Sequence, residues 1–230
     1  MIKLNEVSET NEDVSVVSKG YLNIQPTDRM SDQEVSDFIA KEFEKVHDEA
    51  ESDTYDKLMS EVFNRSEDEM DIDFNISEPI MSVLEKFKSE EWGEMDIKEQ
   101  MLAVRELVKT IGKELQLDQL PEVELLSDRD EDAYGLFDAV SNKIILNPKY
   151  FDDPGELVNT VAHELRHAYQ HMRAEMLETK EDTLYKLNFE NYISPLSLPG
   201  GGYLFYVDYL DQYVEVEARA FANLFSEAMR

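Results

Sequence analysis

Asp153-Pro154-Gly155-Glu156 marks a helix start more firmly than any other point in the chain. It has Asp as N-cap, Pro at the first helical position and Glu three residues past the cap. Leu157, Val161, Ala162, Leu165 and Ala168 carry an apolar stripe on to about residue 175, and such a stripe has to be buried against other elements. Immediately upstream the period changes. Glu122-Val-Glu-Leu-Leu126, the run from Ala133 to Val140, and Lys143-Ile-Ile-Leu-Asn147 read as short strands joined by Ser-Asp and Ser-Asn pairs, with a hairpin expected at Ser141-Asn142. A small sheet against a long amphipathic helix gives an α+β fold class.

Further helices are expected ahead of the sheet. Ser31 with Glu34, and Asp96 with Glu99, have the form of capping boxes. Val35, Phe38, Ile39, Phe43 and Val46 then place a helix over about 32–50, and Met101, Val104, Leu107, Val108, Ile111 and Leu115 place another over about 97–116. Two more are expected near 52–64 and 78–90, separated by a charged stretch from Arg65 to Asp73 that reads as a solvated loop. The chain divides on this reading into an acidic, mostly helical region, 1–95, and a second region, 96–230. Residues 1–100 hold 28 acidic and 10 basic side chains of the 52 and 22 in the whole chain, so the front carries the charge excess.

A formal charge of -30 argues against nucleic acid as a partner, because affinity for phosphate backbones comes from Lys and Arg releasing counterions. Anionic membrane surfaces are disfavoured for the same reason. No apolar run approaches the roughly 20 residues that span a bilayer. The start Met1-Ile-Lys-Leu-Asn-Glu lacks the pattern of a secretory signal, so a cytoplasmic protein is expected. With no cysteine, disulfides, thiol catalysis and thiolate metal sites are excluded together, and any metal must be held by His, Asp or Glu.

Three of the four histidines fall on the capped helix. In His163-Glu164-Leu165-Arg166-His167 the two histidines lie one turn apart on one face, so that two imidazoles can converge on one ion. Glu164, rotated by about 100°, can approach a water on that ion without becoming a ligand. His171 lies about 12 Å along the axis from His163 if the helix is continuous, too far to share the ion. A third ligand is therefore expected to be a carboxylate. Tyr213 to Ala222 is helix-compatible, with Val214, Ala218, Phe221 and Ala222 toward the core, and offers both Glu215 and Glu217. The plainer alternative, a surface histidine pair, leaves the clustering of three histidines to accident. The Leu198 to Tyr203 glycine cluster reads as a flexible loop or tight hairpin.

A short sheet, a His-Glu-x-x-His helix and a later Glu-x-Glu-Ala-x-x-Phe-Ala helix together resemble the gluzincin metallopeptidases over about residues 120–230. The closest likeness is to the ImmA/IrrE-like peptidases and the zincin-like metallopeptidase domains of bacterial toxin systems. The resemblance implies a zincin-like fold and a Zn2+ ion held by His163, His167 and Glu215, with Glu217 as the alternative ligand. It also implies endopeptidase action on a protein or peptide substrate, with Glu164 as general base toward a water at the zinc. An oxyanion donor is sought among Tyr203, Tyr206, Tyr209 and Tyr213, with Tyr213 preferred, and the strand edge at 133–147 is expected to bind extended peptide. Two departures stand out: Arg219 replaces an Asn frequent in the family, and the interval from His167 to Glu215 leaves room for a substrate-shaping insertion at about 176–210 that includes Asn188, Tyr192 and Pro195. A competing reading from another class is an acidic binding or inhibitory protein on a zincin-like scaffold. A variation on the peptidase makes residues 1–95 a prosegment or partner-binding arm.

Overall fold

The computed structural model describes residues 57–58, 60–63, 66–88, 90–127, 133–197 and 203–230. The helix expected over 32–50 and the glycines at 200–202 lie outside them.

Local signals set most of the element boundaries. Helix α1 is Glu78–Lys88. Helix α2, Ile97–Glu114, begins at the expected capping box: Asp96 accepts from the Lys98 and Glu99 amides, and Glu99 accepts from the Asp96 amide at 2.9 Å. Strands β1 (Glu122–Leu125), β2 (Gly135–Asp138) and β3 (Lys143–Leu146) follow. Helix α3, Pro154–Met176, starts where Asp153 caps the Glu156 amide at 3.1 Å. Then come α4 (Lys180–Glu190), the two-residue strands β4 (Leu196–Ser197) and β5 (Tyr203–Leu204), the short α5 (Tyr206–Leu210) and α6 (Tyr213–Met229). The architecture is α+β, and among the described residues no helix is long and apolar enough to cross a membrane.

The main sheet has the order β1-β3-β2, with β1 parallel and β2 antiparallel to β3. Asn142, at φ 52°, turns the expected hairpin, a backbone region that Asn tolerates better than most side chains. Because the Asn147 amide donates to the Tyr134 carbonyl, alternation along β2 directs the main-chain groups of Gly135 and Phe137 away from β3, to the free edge. A β4–β5 pair flanks the glycine cluster, with Leu196 opposite Leu204.

Helix α3 lies at the centre. One core joins its Leu157, Val161 and Leu165 to Val104, Leu107 and Ile111 of α2, to Phe137, Ile144 and Leu146 of the sheet, and to Phe221 and Phe225 of α6. Ile80, Val83, Leu84, Phe87 and Trp92, all before residue 96, belong to the same core, and the Trp92 indole N–H donates to the Phe151 carbonyl at 2.9 Å. A second cluster, around Ala174, Leu184, Tyr185, Leu187 and Val214, covers the later turns of α3 and takes in Leu58 and Val62 from the helix expected near 52–64.

Two stretches differ from expectation. The charged segment is more than a solvated loop: it forms a short 3-10 turn at Glu67–Glu69, and then Met70, Ile72, Phe74 and Ile76 alternate inward while Asp71, Asp73 and Asn75 point to solvent. Phe74 meets Phe221 edge-on at 4.9 Å, so this strap packs along α6. The interval after α3 also contains helix α4, opened by a second capping box, Thr179 with Asp182.

Sheet and helix approach closely at Gly135, where an added Cβ would lie 2.8 Å from the Thr160 methyl and 3.1 Å from the Ile145 carbonyl. Gly135→Ala is expected to force β2 away from α3 and to lower the unfolding free energy by about 1–3 kcal/mol, read from the urea midpoint.

Candidate metal centre

Three donor atoms from two helices converge between α3 and α6. His163 Nε2 and His167 Nε2 are 3.1 Å apart, and each lies 3.4 Å from a different oxygen of Glu215. Donors at about 2.0–2.1 Å around a tetrahedral ion are separated by about 3.3 Å, so the spacing fits one small divalent cation. Glu215 is 1% exposed, and its Oε2 has no donor in hydrogen-bonding geometry, as a carboxylate oxygen reserved for a cation would. His163, with its side chain 17% exposed, is the most open of the three and marks the side facing solvent.

Helix α3 supplies its histidines at i and i+4 because the helix runs unbroken through both, and the same continuity keeps His171 out of the group. His171 is instead stacked on Phe189 at 3.7 Å, and burial first, then His167, holds its pKa well below the usual histidine value. The orientation of His167 follows from its neighbour. Gln170 Nε2 donates to the Val214 carbonyl and to Glu217, which fixes the amide so that its oxygen faces His167 Nδ1 at 2.8 Å. An amide oxygen can only accept, so Nδ1 is the donor in this bond and Nε2 is the nitrogen turned toward the centre.

Glu217 is not part of the group. It takes a bidentate pair from Arg166, with Nε at 2.7 and 2.9 Å, and accepts further bonds from Gln170 at 2.6 Å and the Tyr185 hydroxyl at 3.3 Å. Between the two candidate carboxylates, the structure therefore brings Glu215 to the histidines and commits Glu217 to the helix interface.

Glu164 lies beside the triad with its carboxylate against the Phe137 amide of the free β2 edge. Burial pushes its pKa up to about 7; the charge of Glu215 adds to the rise, while His167 and the Phe137 N–H oppose it. Glu215 goes the other way. Burial alone would raise it, but His167, His163 and the Tyr192 hydroxyl outweigh that and hold it at about 2.

Tyr213, the sequence-based choice for a donor, is not brought to this centre: its ring packs near Tyr185 and its hydroxyl donates to Glu181 at 3.2 Å. Two other tyrosines occupy that place. Tyr192 donates to Glu215 Oε1 at 2.5 Å. The Tyr209 hydroxyl lies beside Glu215 and Tyr192, and burial, followed by the charges of Glu215 and Glu164, raises its pKa well above the usual range. Buried Gln212 holds both in position. Its amide nitrogen donates to the Ile193 and Tyr209 carbonyls, and its oxygen accepts from Asn188 and the Ile193 amide. Arg219 points away from the triad and ties the Leu210 carbonyl to Glu67 of the strap.

No family model, curated protein or solved structure matches the chain.

A carboxyl group whose pKa is raised on folding favours the folded state below its unfolded value of about 4.5 and loses that contribution as pH climbs through its folded value, here about 7. In metal-free protein, Glu164→Gln should therefore gain stability relative to wild type as pH rises from 5 to 8, by up to about 3 kcal/mol, measured by urea unfolding at each pH.

Proposed function

We propose that the chain is a zinc-dependent endopeptidase with a zincin-like arrangement of sheet, histidine helix and glutamate helix. The observation that carries this reading is the seat formed by His163, His167 and Glu215 at tetrahedral-edge spacing, with a buried carboxyl of pKa about 7, Glu164, beside it. Two imidazoles and one carboxylate, without thiolates, form a donor set that suits zinc with a position left open for chemistry. Zinc in that seat supplies Lewis acidity toward a carbonyl oxygen and lowers the pKa of water toward neutrality.

The remaining work falls to the side chains. Glu164 would take the proton of the attacking water as the C–O bond forms and return it to the departing amine as the C–N bond breaks. The Phe137 N–H keeps that carboxylate aimed. β2 is the outer strand of the sheet, and an extended chain would lie beside it as an added strand. Tyr209 and Tyr192, both beside Glu215, are the side chains we assign as donors to the negative charge that would develop on the carbonyl oxygen.

Elemental analysis of purified protein should give one zinc per chain, lost in His163→Ala. Glu164→Gln should retain that zinc while cleavage of an unfolded protein substrate falls by at least about a hundredfold. Wild-type protein that carries no zinc, or a Glu164→Gln variant that cleaves like wild type, would overturn the reading.

A further inference from the structure

The start of helix α5 presents an apolar ridge at the surface. Phe205, Tyr206 and Val207 stand 50%, 47% and 66% exposed, three consecutive large apolar side chains in water. Phe205 is also held in left-handed backbone, φ 59° and ψ 20°, a region that disfavours any side chain with a Cβ. Strain and exposure of an aromatic ring both oppose stability, and their coincidence at one residue points to a use outside the fold. The ridge leads to the metal seat. The Tyr206 ring lies 6.2 Å from Tyr209 and Tyr209 lies 6.1 Å from Tyr192, while the hydroxyls of Tyr209 and Tyr192 meet at Glu215. Three rings thus connect an exposed apolar surface to a proposed zinc ligand. The charge beside it is negative, with Asp208 exposed and Asp211 partly exposed.

We infer that the Phe205–Val207 ridge is where the substrate chain docks, and that it selects polypeptide segments in which a bulky apolar residue lies next to a lysine or arginine. This rests on the peptidase reading and names the substrate class for it. The apolar side chain is removed from water against Phe205 and Val207, the neighbouring cation pairs with Asp208, and the ladder of tyrosines carries the bound segment toward Glu164. Other acidic segments, which a chain of charge -30 would repel, are excluded.

The test uses the full-length, zinc-supplemented Glu164→Gln protein, so that binding is read without cleavage. The probes are fluorescein-labelled peptides with a Phe-Leu centre flanked by lysines, the same peptide with a Ser-Ser centre, and the Phe-Leu peptide flanked by glutamates. Fluorescence anisotropy should show binding of the first and at least about tenfold weaker binding of the other two. Adding Phe205→Gly should weaken the first peptide by about tenfold while Tm stays level or rises, because glycine accepts the left-handed backbone without strain. Val207→Ser should act in the same direction. A purely structural role for Phe205 predicts the reverse: lower Tm with unchanged affinity. Equal affinity for all three peptides, no binding, or a dimer that dissociates on Phe205→Gly would overturn the proposal, the last assigning the ridge to a second copy of the chain. Cleavage and zinc content of wild type, measured separately, decide the peptidase reading: binding without cleavage would remove the enzyme and leave the ridge standing.

Discussion

Arg166 and Glu217 form a guanidinium–carboxylate pair between α3 and α6, both side chains nearly removed from water. Taking two charges out of solvent is costly, and such a pair holds only if the remaining hydrogen-bonding groups are also met. Here Gln170 and Tyr185 complete the carboxylate, and the guanidinium lies over the rings of Tyr169 and Phe221 at 4.3 and 5.1 Å. The bidentate fork sets the rotation of α6 and its height along α3 at once. Two residues earlier on α6, Glu215 is thereby carried to His163 and His167. Gln170 joins the two layers, bonded to Glu217 on one side and to His167 on the other. The centre inherits its precision from an ion pair that never touches it.

The elements that were legible in the sequence are those whose signals are local. Both Asp96 with Glu99 and Asp153 with Glu156 act within one turn, so the starts of α2 and α3 could be read from a few residues. His163 and His167 converge because a single helix guarantees it. Helix α4 was hidden: its buried residues include Asp182, Thr183 and Asn188, so hydrophobic periodicity is weak, although the Thr179–Asp182 box was open to reading. The strap was hidden by its carboxylates, which mask the inward alternation of Met70, Ile72, Phe74 and Ile76.

The choice between Glu215 and Glu217 lay beyond local reasoning. It depends on which carboxylate meets Arg166, 51 residues earlier in the chain, and spacing within α6 cannot report that. The tyrosines failed for a related reason. Tyr213 stands closest to Glu215 in sequence, but as the first residue of α6 it turns toward α4, whereas Tyr192 and Tyr209 arrive through the loop and short helix that Gln212 clasps. A glutamine buried among backbone carbonyls has no signature in sequence. It becomes visible only when the three residues that take its four hydrogen bonds are in place.

The strap has a practical meaning for dissecting the chain. Cutting at residue 95, where composition invites a boundary, would strip Trp92 from Phe151, Phe74 from Phe221, and Glu67 from Arg219 and Asn223. Among the described residues, Arg219 would keep its bond to the Leu210 carbonyl and lose the one to Glu67. The smallest fragment that preserves the α6 surface must therefore begin ahead of Glu67, and a shorter one would expose the aromatic flank of α6 to aggregation.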